Sequence, residues 1–494
     1  MPTFDAILFT DTAAYPHWTR GYGAHRLASH LRTHGYSVLV IDFSLALQFE
    51  TWKEICKYAI GSNTLFLGFS TTWWPYRNPD QDNPFINPSV NMADTLIDNF
   101  KKEMPEDRTL TYDAANGTVN RWIDEAKNYN ENIKVLIGGA KIDWYRDFPA
   151  DYFFSGLSET QIVDFLTEEL RIWPRYIKHD THADHHRWDW LHSSTRYTDL
   201  DFIVPGEVLT LETARGCKFK CSFCSFPLIG QKKIADYTKT EETLYQELLE
   251  NWEKWGITDY WIADDTFNDN TEKLRMFHKI TKKLPFDLNY RAYLRLDVMA
   301  MHPEQIGLLY ESGIKNCWFG IETFHPEAAK AIGKGMPEEK RKQALYDMQK
   351  VWGNDVAVAS GYIVGLPHEP VDHIYKQAEW FMEDNNPVNH NPNFMPLIIN
   401  PPGAYEYHPM SAIDRNPEKY GYNIPDMKRF NFWTKDDGTG IESFEKAWQI
   451  SGDITQKIAS RGNKIINELD YQHGIKDPQE EYFKPLVEKL KNGR

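Results

Sequence analysis

The chain has 494 residues, 41% of them hydrophobic and 14% aromatic, with a formal net charge of −16 and five cysteines. That length exceeds one hydrophobic core and calls for two or three domains, the acidic balance excludes a broad basic surface for nucleic acid, and so few cysteines exclude a disulfide scaffold. No stretch reaches the roughly 18 apolar residues of a membrane span, and the opening MPTFDAILFTDTAAYPH has neither the basic region nor the small-residue cleavage site of a secretion signal, so a cytoplasmic location is expected.

Residues 1–171 alternate short apolar runs with helical patterns, the mark of a parallel sheet covered on both faces. The predicted strands are DAILFT (Asp5–Thr10), SVLVIDF (Ser37–Phe43), TLFLGFS (Thr64–Ser70), KVLIGG (Lys134–Gly139) and ADYFFSG (Ala150–Gly156). Between the first two, Ala24, Leu27, Ala28 and Leu31 recur at helical spacing, and Gly35 is placed to end the helix. A segment of about residues 75–117 breaks the rhythm and reads as an insertion at the strand-end side of the sheet. Residues 172–205 show no period and read as a linker. Within it HDTHADHH gathers His179, His182, His185 and His186, read as a polar connection or a metal-binding tract.

A second series follows over residues 206–400. Strands are expected at Val208–Gly216, Asp259–Asp265, Phe286–Leu296, Ile314–Glu322, Asp355–Gly365 and Asn393–Asn400, separated by amphipathic helices. Six strands alternating with helices predict a full or partial parallel barrel whose active site lies at the C-terminal strand ends. Residues 401–494 form an extension, first loop-like with Tyr405, Tyr407, Tyr420, Tyr422, Phe432 and Trp433, then helical from ESFEKAWQ onward. The fold class is α/β: a doubly wound front domain, a barrel and an α-rich tail.

The stretch RGCKFKCSFCSF, Arg215–Phe226, puts Cys217, Cys221 and Cys224 on one loop after the first barrel strand. Structural zinc needs a fourth ligand and usually shows two separated pairs; three thiolates on one loop suit an iron–sulfur cubane with one iron left open. Cys56 and Cys317 sit in apolar patterns and read as buried structural thiols, although Cys317, on a barrel strand, has a possible position toward the cavity.

The spacing C-x3-C-x-aromatic-C, with Phe223 as the aromatic, resembles the motif of radical S-adenosylmethionine (SAM) enzymes. The resemblance implies a [4Fe–4S] cluster on the three cysteines and Phe223 near the adenine of SAM. GYIVGLPHE places Gly361, Ile363, Gly365 and Glu369 in the pattern G-x-I-x-G-x-x-E, which implies further adenine contacts. Asp264 and Asp265 occupy the second-strand position that holds the methionyl amine in the family, while Arg295 in LRLD and Glu322 in FGIET match positions around the SAM carboxylate and ribose.

A doubly wound domain ahead of such a barrel resembles the cobalamin-binding class of the same family. Ser70 and Thr71 after the third strand, Gly138 and Gly139 after the fourth, and Gly156 after the fifth match places where that class passes the nucleotide tail of the corrinoid. The D-x-H-x-x-G motif whose histidine ligates cobalt is absent, and His17 has the wrong neighbours. The resemblance implies that an electron from the reduced cluster cleaves SAM to methionine and a 5′-deoxyadenosyl radical, with cobalamin-dependent methyl transfer to a small-molecule or peptide substrate and a flavodoxin- or ferredoxin-like electron donor. Two alternatives stay open: a cobalamin-free radical SAM cyclase or oxidase with a scaffold front domain, and a non-enzymatic iron–sulfur or zinc module. Sulfur insertion would need a second cluster, for which the two spare cysteines lie too far apart.

Overall fold

In the computed structural model, residues 3–10, 20–70, 112–139, 142–145, 148–168, 172–178, 189–226, 237–390, 392–400, 410–424, 433–461 and 474–493 are described. Six short strands form the first sheet: β1 (Ala6–Phe9), β2 (Val38–Ile41), β3 (Phe66–Ser70), β4 (Lys134–Gly139), β5 (Tyr152–Ser155) and β6 (Tyr176–Lys178). All neighbours are parallel, in the order β2-β1-β3-β4-β5-β6. This is a doubly wound order, and its reversal point lies between β1 and β3.

Every residue of β1 and β2 is buried because helices cover both faces. On one face, α1 (Tyr22–Thr33) brings Ala28 and Leu31 into a core with Ala6, Leu8, Val38 and Val40. On the other, α2 (Phe49–Ala59) and α3 (Tyr112–Tyr129) pack Trp52, Ile55 and Trp122 against Phe9, Leu67 and Phe69. The next helix, α4 (Glu159–Thr167), joins the α1 face through Ile162 and Phe165. Gly35 ends α1 as expected: its φ is +88, a left-handed conformation that glycine adopts without strain.

Two boundaries differ from the sequence reading. The predicted linker of 172–205 contains β6, which pairs in parallel with β5, so the front sheet runs to Lys178. Three residues with one buried aliphatic, Ile177, are too few to show a period. The tail is also divided. Its last helix, Lys484–Lys491, returns to the front domain, where Tyr482, Phe483, Leu486 and Leu490 share a core with Trp52 and Ile55. Of the predicted insertion, only the residues from Tyr112, the first turns of α3, lie within the described chain.

The second sheet recovers all six predicted strands: β7 (Val208–Leu211), β8 (Asp259–Ile262), β9 (Asn289–Leu294), β10 (Ile314–Glu322), β11 (Ala357–Val364) and β12 (Asn393–Pro396). They lie in sequential order and are parallel throughout, a six-stranded partial barrel. Burial alternates along β7, β8 and β9: Leu209, Leu211, Tyr260, Ile262, Tyr290, Ala292 and Leu294 share one core with Leu244, Leu248, Leu274, Phe277 and Ile306 of the flanking helices. Cys317 belongs to this helix-facing set and is fully buried, so it does not look into the cavity. From the tail, the helix Phe444–Ala459 packs on the same body, together with Tyr422 and Trp433; Tyr405, Tyr407 and Phe432 lie outside the described residues. Among the described residues no helix is long and apolar enough to cross a membrane.

Candidate functional site

The cysteine loop leaves β7 and is braced at once. The Asp264 carboxylate, at the end of β8, accepts from the backbone N–H groups of Thr213 (2.8 Å) and Ala214 (2.9 Å), from the Thr213 hydroxyl (2.5 Å) and from Lys273 Nζ (3.1 Å). Asp264 is buried and fully engaged, so of the two acids expected at the methionyl amine it serves the loop instead. Asp265, the next residue, is half-buried. Burial, then the nearby Asp264 and Glu212, push its carboxyl up to about 7, where an arriving ammonium group would restore the charged form.

Further along, Cys217 is buried with its sulfur 3.5 Å from the Thr266 hydroxyl, while Cys221 and Cys224 are half-buried, and the Cys224 N–H donates to the Cys221 carbonyl (3.1 Å). The Ser222 N–H donates to the Ile332 carbonyl (3.2 Å), and the Ser222 carbonyl accepts from Ile413 N–H (2.9 Å). These bonds fix the loop between the barrel and the tail. Burial raises the thiol of Cys217 and pushes that of Cys224 up to about 12, so the donor set needs a strongly positive partner to ionise, which iron supplies.

A single tetrahedral ion holds its sulfurs about 3.8 Å apart. Among the described residues the trio whose ligand atoms all lie within 4.8 Å of one another is His25, Asp42 and Asp201, whereas a cluster, whose sulfurs each meet a different iron, does not require its thiolates that close. The His25 trio is no cation site, because Arg20 Nη1 already sits 2.6 Å from Asp42 and its Nε bonds Glu207. With Tyr482 accepting from the Asp42 N–H (3.1 Å), this buried network ties front domain, linker and tail together.

Phe223 packs at the edge of the barrel core, with Lys334 Nζ 5.9 Å from its ring centroid. Lys334 also pairs with Glu322 (3.1 Å) and bonds the Gly320 carbonyl. Glu322 closes β10 with φ +65, a left-handed conformation uncommon for such a residue and a reserve of strain at the strand end. The Arg295 guanidinium is turned to the loop: it bonds Asp297 and approaches the sulfur of Cys221 to 3.0 Å.

In the glycine motif, a Cβ on Gly361 would stand 3.0 Å from Trp318 Nε1, so glycine there permits close approach. Ile363 is half-buried on the same inner side of β11. Gly365 has φ +95, and a Cβ there would meet the Trp433 ring at 2.6 Å, so glycine lets the tail pack against the end of β11. Glu369 is buried and accepts from the Thr323 hydroxyl (2.6 Å) and Gln377 (2.7 Å), joining the ends of β10 and β11 to the following helix.

At the front sheet, Ser70, Gly138, Gly139 and Gly156 gather at the C-terminal edge, with Ser70 beside Gly138 and Gly139 beside Ser155 in register. Gly139 (φ +131) and Gly156 (φ +81) hold conformations that other residues rarely adopt. Thr71, His17 and the run from His179 to His186 lie outside the described residues. Sequence reasoning missed the link between the two edges. Arg215, two residues before Cys217, donates to Glu159 (2.7 Å), three residues after Gly156, and grips Glu212 with two bonds (2.8 and 3.0 Å). Arg215 and Glu159 are both buried. The arginine stood in plain view beside the cysteine motif, but its partner lies 56 positions away.

Comparisons with known proteins agree with this arrangement. Residues 211–381 match the family model of the Radical SAM superfamily, so the barrel is a radical SAM domain. An uncharacterized methyltransferase of Pyrococcus horikoshii is 27% identical over 157 residues, 32% of this chain and 33% of the relative. The cytidylyl-2-hydroxyethylphosphonate methyltransferase of Streptomyces wedmorensis is 24% identical over 166 residues, 34% of this chain and 30% of the relative. The chain thus spans about a third of the length of these curated relatives. Among solved structures, the radical SAM methyltransferase TsrM of Kitasatospora setae, with cobalamin and a [4Fe–4S] cluster bound, superposes with a TM-score of 0.61 at 14% identity, covering 100% of both chains. A second TsrM structure, with tryptophan substrate and a SAM analog, gives 0.58 at 16% identity over 85% of this chain and 79% of TsrM. At these identities the likeness establishes the fold, front domain included.

Proposed function

We propose that this radical SAM domain operates as a cobalamin-dependent methyltransferase. The observation that carries the reading is the loop of Cys217, Cys221 and Cys224 at the barrel's strand ends, bonded through Arg215 and Glu159 to the glycine-lined edge of a doubly wound sheet. When bound, the cluster supplies the electron for reductive cleavage of SAM, and the corrinoid supplies a methyl carrier. The chain's own residues bind and orient. The three cysteines hold three irons and leave the fourth for SAM; Phe223, Gly361 and Ile363 line the adenine; Asp265 meets the methionyl amine; Glu322, steadied by Lys334, faces the ribose. Ser70, Thr71, Gly138, Gly139 and Gly156 admit the nucleotide tail of the corrinoid. TsrM, a methyltransferase with both cofactors, and two curated methyltransferases support the methyl-transfer reading. The substrate is a small molecule or peptide, and a low-potential donor of the flavodoxin or ferredoxin kind supplies electrons.

The test is anaerobic reconstitution with iron, sulfide, hydroxocobalamin and SAM. Wild-type protein should carry one [4Fe–4S] cluster and one corrinoid and release methionine from SAM. Replacing Cys217, Cys221 and Cys224 together with Ala should abolish iron content and SAM cleavage, and retention of either sinks the reading. The missing D-x-H-x-x-G motif favours a corrinoid whose cobalt has no histidine ligand, so its Co(II) resonance should lack nitrogen splitting. A stoichiometric cluster without corrinoid under saturating supply would instead select the cobalamin-free cyclase or oxidase.

A further inference from the structure

Arg295 is held on every side. Its backbone N–H donates to Asn268 Oδ1 (2.7 Å) and its carbonyl accepts from Asn268 Nδ2 (3.0 Å), which fixes the turn after β9. Its Nε and Nη2 grip Asp297 (2.7 and 2.8 Å), Nη2 also donates to the Gly333 carbonyl (2.8 Å), and the guanidinium carbon lies 3.9 Å from the centroid of Phe219, inside the cysteine loop. Its other terminal nitrogen, Nη1, stands 3.0 Å from Cys221 Sγ. The side chain is 6% exposed, so neither water nor rotamer freedom competes with that contact.

We propose that Arg295 is a positioning residue for the iron site: its fixed guanidinium donates a charge-assisted hydrogen bond to the Cys221 sulfur and so raises the reduction potential of the cluster. A ligand sulfur carries more negative charge when the cluster takes up an electron, so a cation and an N–H aimed at that sulfur stabilise the reduced form more than the oxidised one. The surroundings give the contact its importance. Asp265 and Glu212 place acidic groups by the loop, and Arg295 is the cation in contact with a cysteine sulfur among the described residues. Its five donors in a rigid fork let it bind Asp297, Gly333 and Cys221 at once, which a lysine cannot do. This inference rests on the reading that the three cysteines hold a [4Fe–4S] cluster.

The test uses anaerobically reconstituted full-length protein without SAM, titrated with dithionite and followed by the paramagnetic resonance of the reduced cluster. With iron and sulfide content equal to wild type, Arg295→Gln should lower the reduction equilibrium about tenfold, a fall of about 59 mV for one electron, and Arg295→Lys should fall between the two. An unchanged midpoint in Arg295→Gln with full iron overturns the proposal, and if SAM affinity drops instead, the arginine serves the SAM carboxylate. A second measurement does not depend on a variant keeping its iron: wild-type protein grown with 15N-guanidinium arginine should show an exchanged nitrogen coupling in the pulsed resonance spectrum of the reduced cluster, and its absence overturns the contact. Wild-type protein that takes up no cluster would refute the proposed function itself, and this inference with it.

Discussion

The two six-stranded parallel sheets differ in what covers them. In the front sheet β1 and β2 are buried residue by residue, with a helical layer on each face. In the barrel, β8 and β9 bury every second residue, while Trp261, Arg291 and Tyr293 on the inner face stay partly open, the last 41% exposed and Arg291 stacked 3.8 Å over Trp261. A sheet covered on both faces has only its strand ends to offer a ligand, whereas a sheet curved over an uncovered inner face offers a chamber. The front domain therefore suits a large cofactor lying along an edge, and the barrel suits reactants enclosed within. Two strand-end glycines differ in the same way: a Cβ on Gly365 of the barrel would meet the Trp433 ring at 2.6 Å, whereas one on Gly138 of the front edge would lie 3.4 Å from the Phe154 Cβ.

The sharpest way to break that comparison is to add a side chain at a packed barrel glycine. Gly365→Val combines a β-branched residue at φ +95 with a clash at 2.6 Å against Trp433. Strain of about 1–2 kcal/mol and overpacking of about 1–3 kcal/mol add to about 2–5 kcal/mol of lost stability. Urea denaturation followed by tryptophan fluorescence should show the barrel transition at markedly lower denaturant with the front-domain transition little moved. Equal shifts of both would mean that the two sheets unfold as one body and that the division is not energetic.

The joint between the sheets comes next. Burial alone would raise the carboxyl of Glu159, but Arg215, Arg26 and the hydrogen bonds pull it down to about 2, against an ordinary glutamate value near 4.3. The folded value is depressed, so this contribution is fully present above about pH 4.5 and is lost as pH falls toward 2. The shift sets a ceiling of about 3 kcal/mol at neutral pH. Glu159→Gln should be less stable than wild type by about 1–3 kcal/mol at pH 7, and the gap should shrink below about pH 4.5, to roughly half at pH 3, and close only as pH falls below 2. A gap that is constant with pH would assign the effect to packing rather than to the ion pair.

Much of this was legible in the sequence, for identifiable reasons. Strand runs such as KVLIGG and the Leu27–Leu31 helix face are local patterns, and both strand and helix form where expected. The cysteine loop is readable because all three of its cysteines come from eight consecutive residues. What escaped is non-local or too short: β6 with three residues, the return of Tyr482 to the front core across 440 positions from Asp42, and the Arg215–Glu159 bond. Asp264 and Arg295 were found but their protein partners were not, because a motif fixes where a side chain starts and not which neighbour reaches it. Asp264 meets the backbone of the loop, and Arg295 meets Asp297 and a cysteine sulfur.

The smallest expected change in stability lies at the front edge and sharpens the comparison most. Gly138, next to last in β4, has no left-handed backbone, and a Cβ built on it would lie 3.4 Å from the Phe154 Cβ, an ordinary packing distance. Gly138→Ala should therefore leave stability within about 0.5 kcal/mol of wild type. If the edge passes a corrinoid tail against the backbone, however, one methyl group at this point displaces it, and bound corrinoid after growth with hydroxocobalamin should drop severalfold while the iron content stays unchanged. At Gly365 a side chain collides with the protein's own tryptophan and costs stability, whereas at Gly138 it would collide only with a ligand and cost occupancy. Unchanged corrinoid content in Gly138→Ala would move the cofactor away from the β4 end. A variant that instead lost stability as Gly365→Val does would show that both edges are built for internal packing alone.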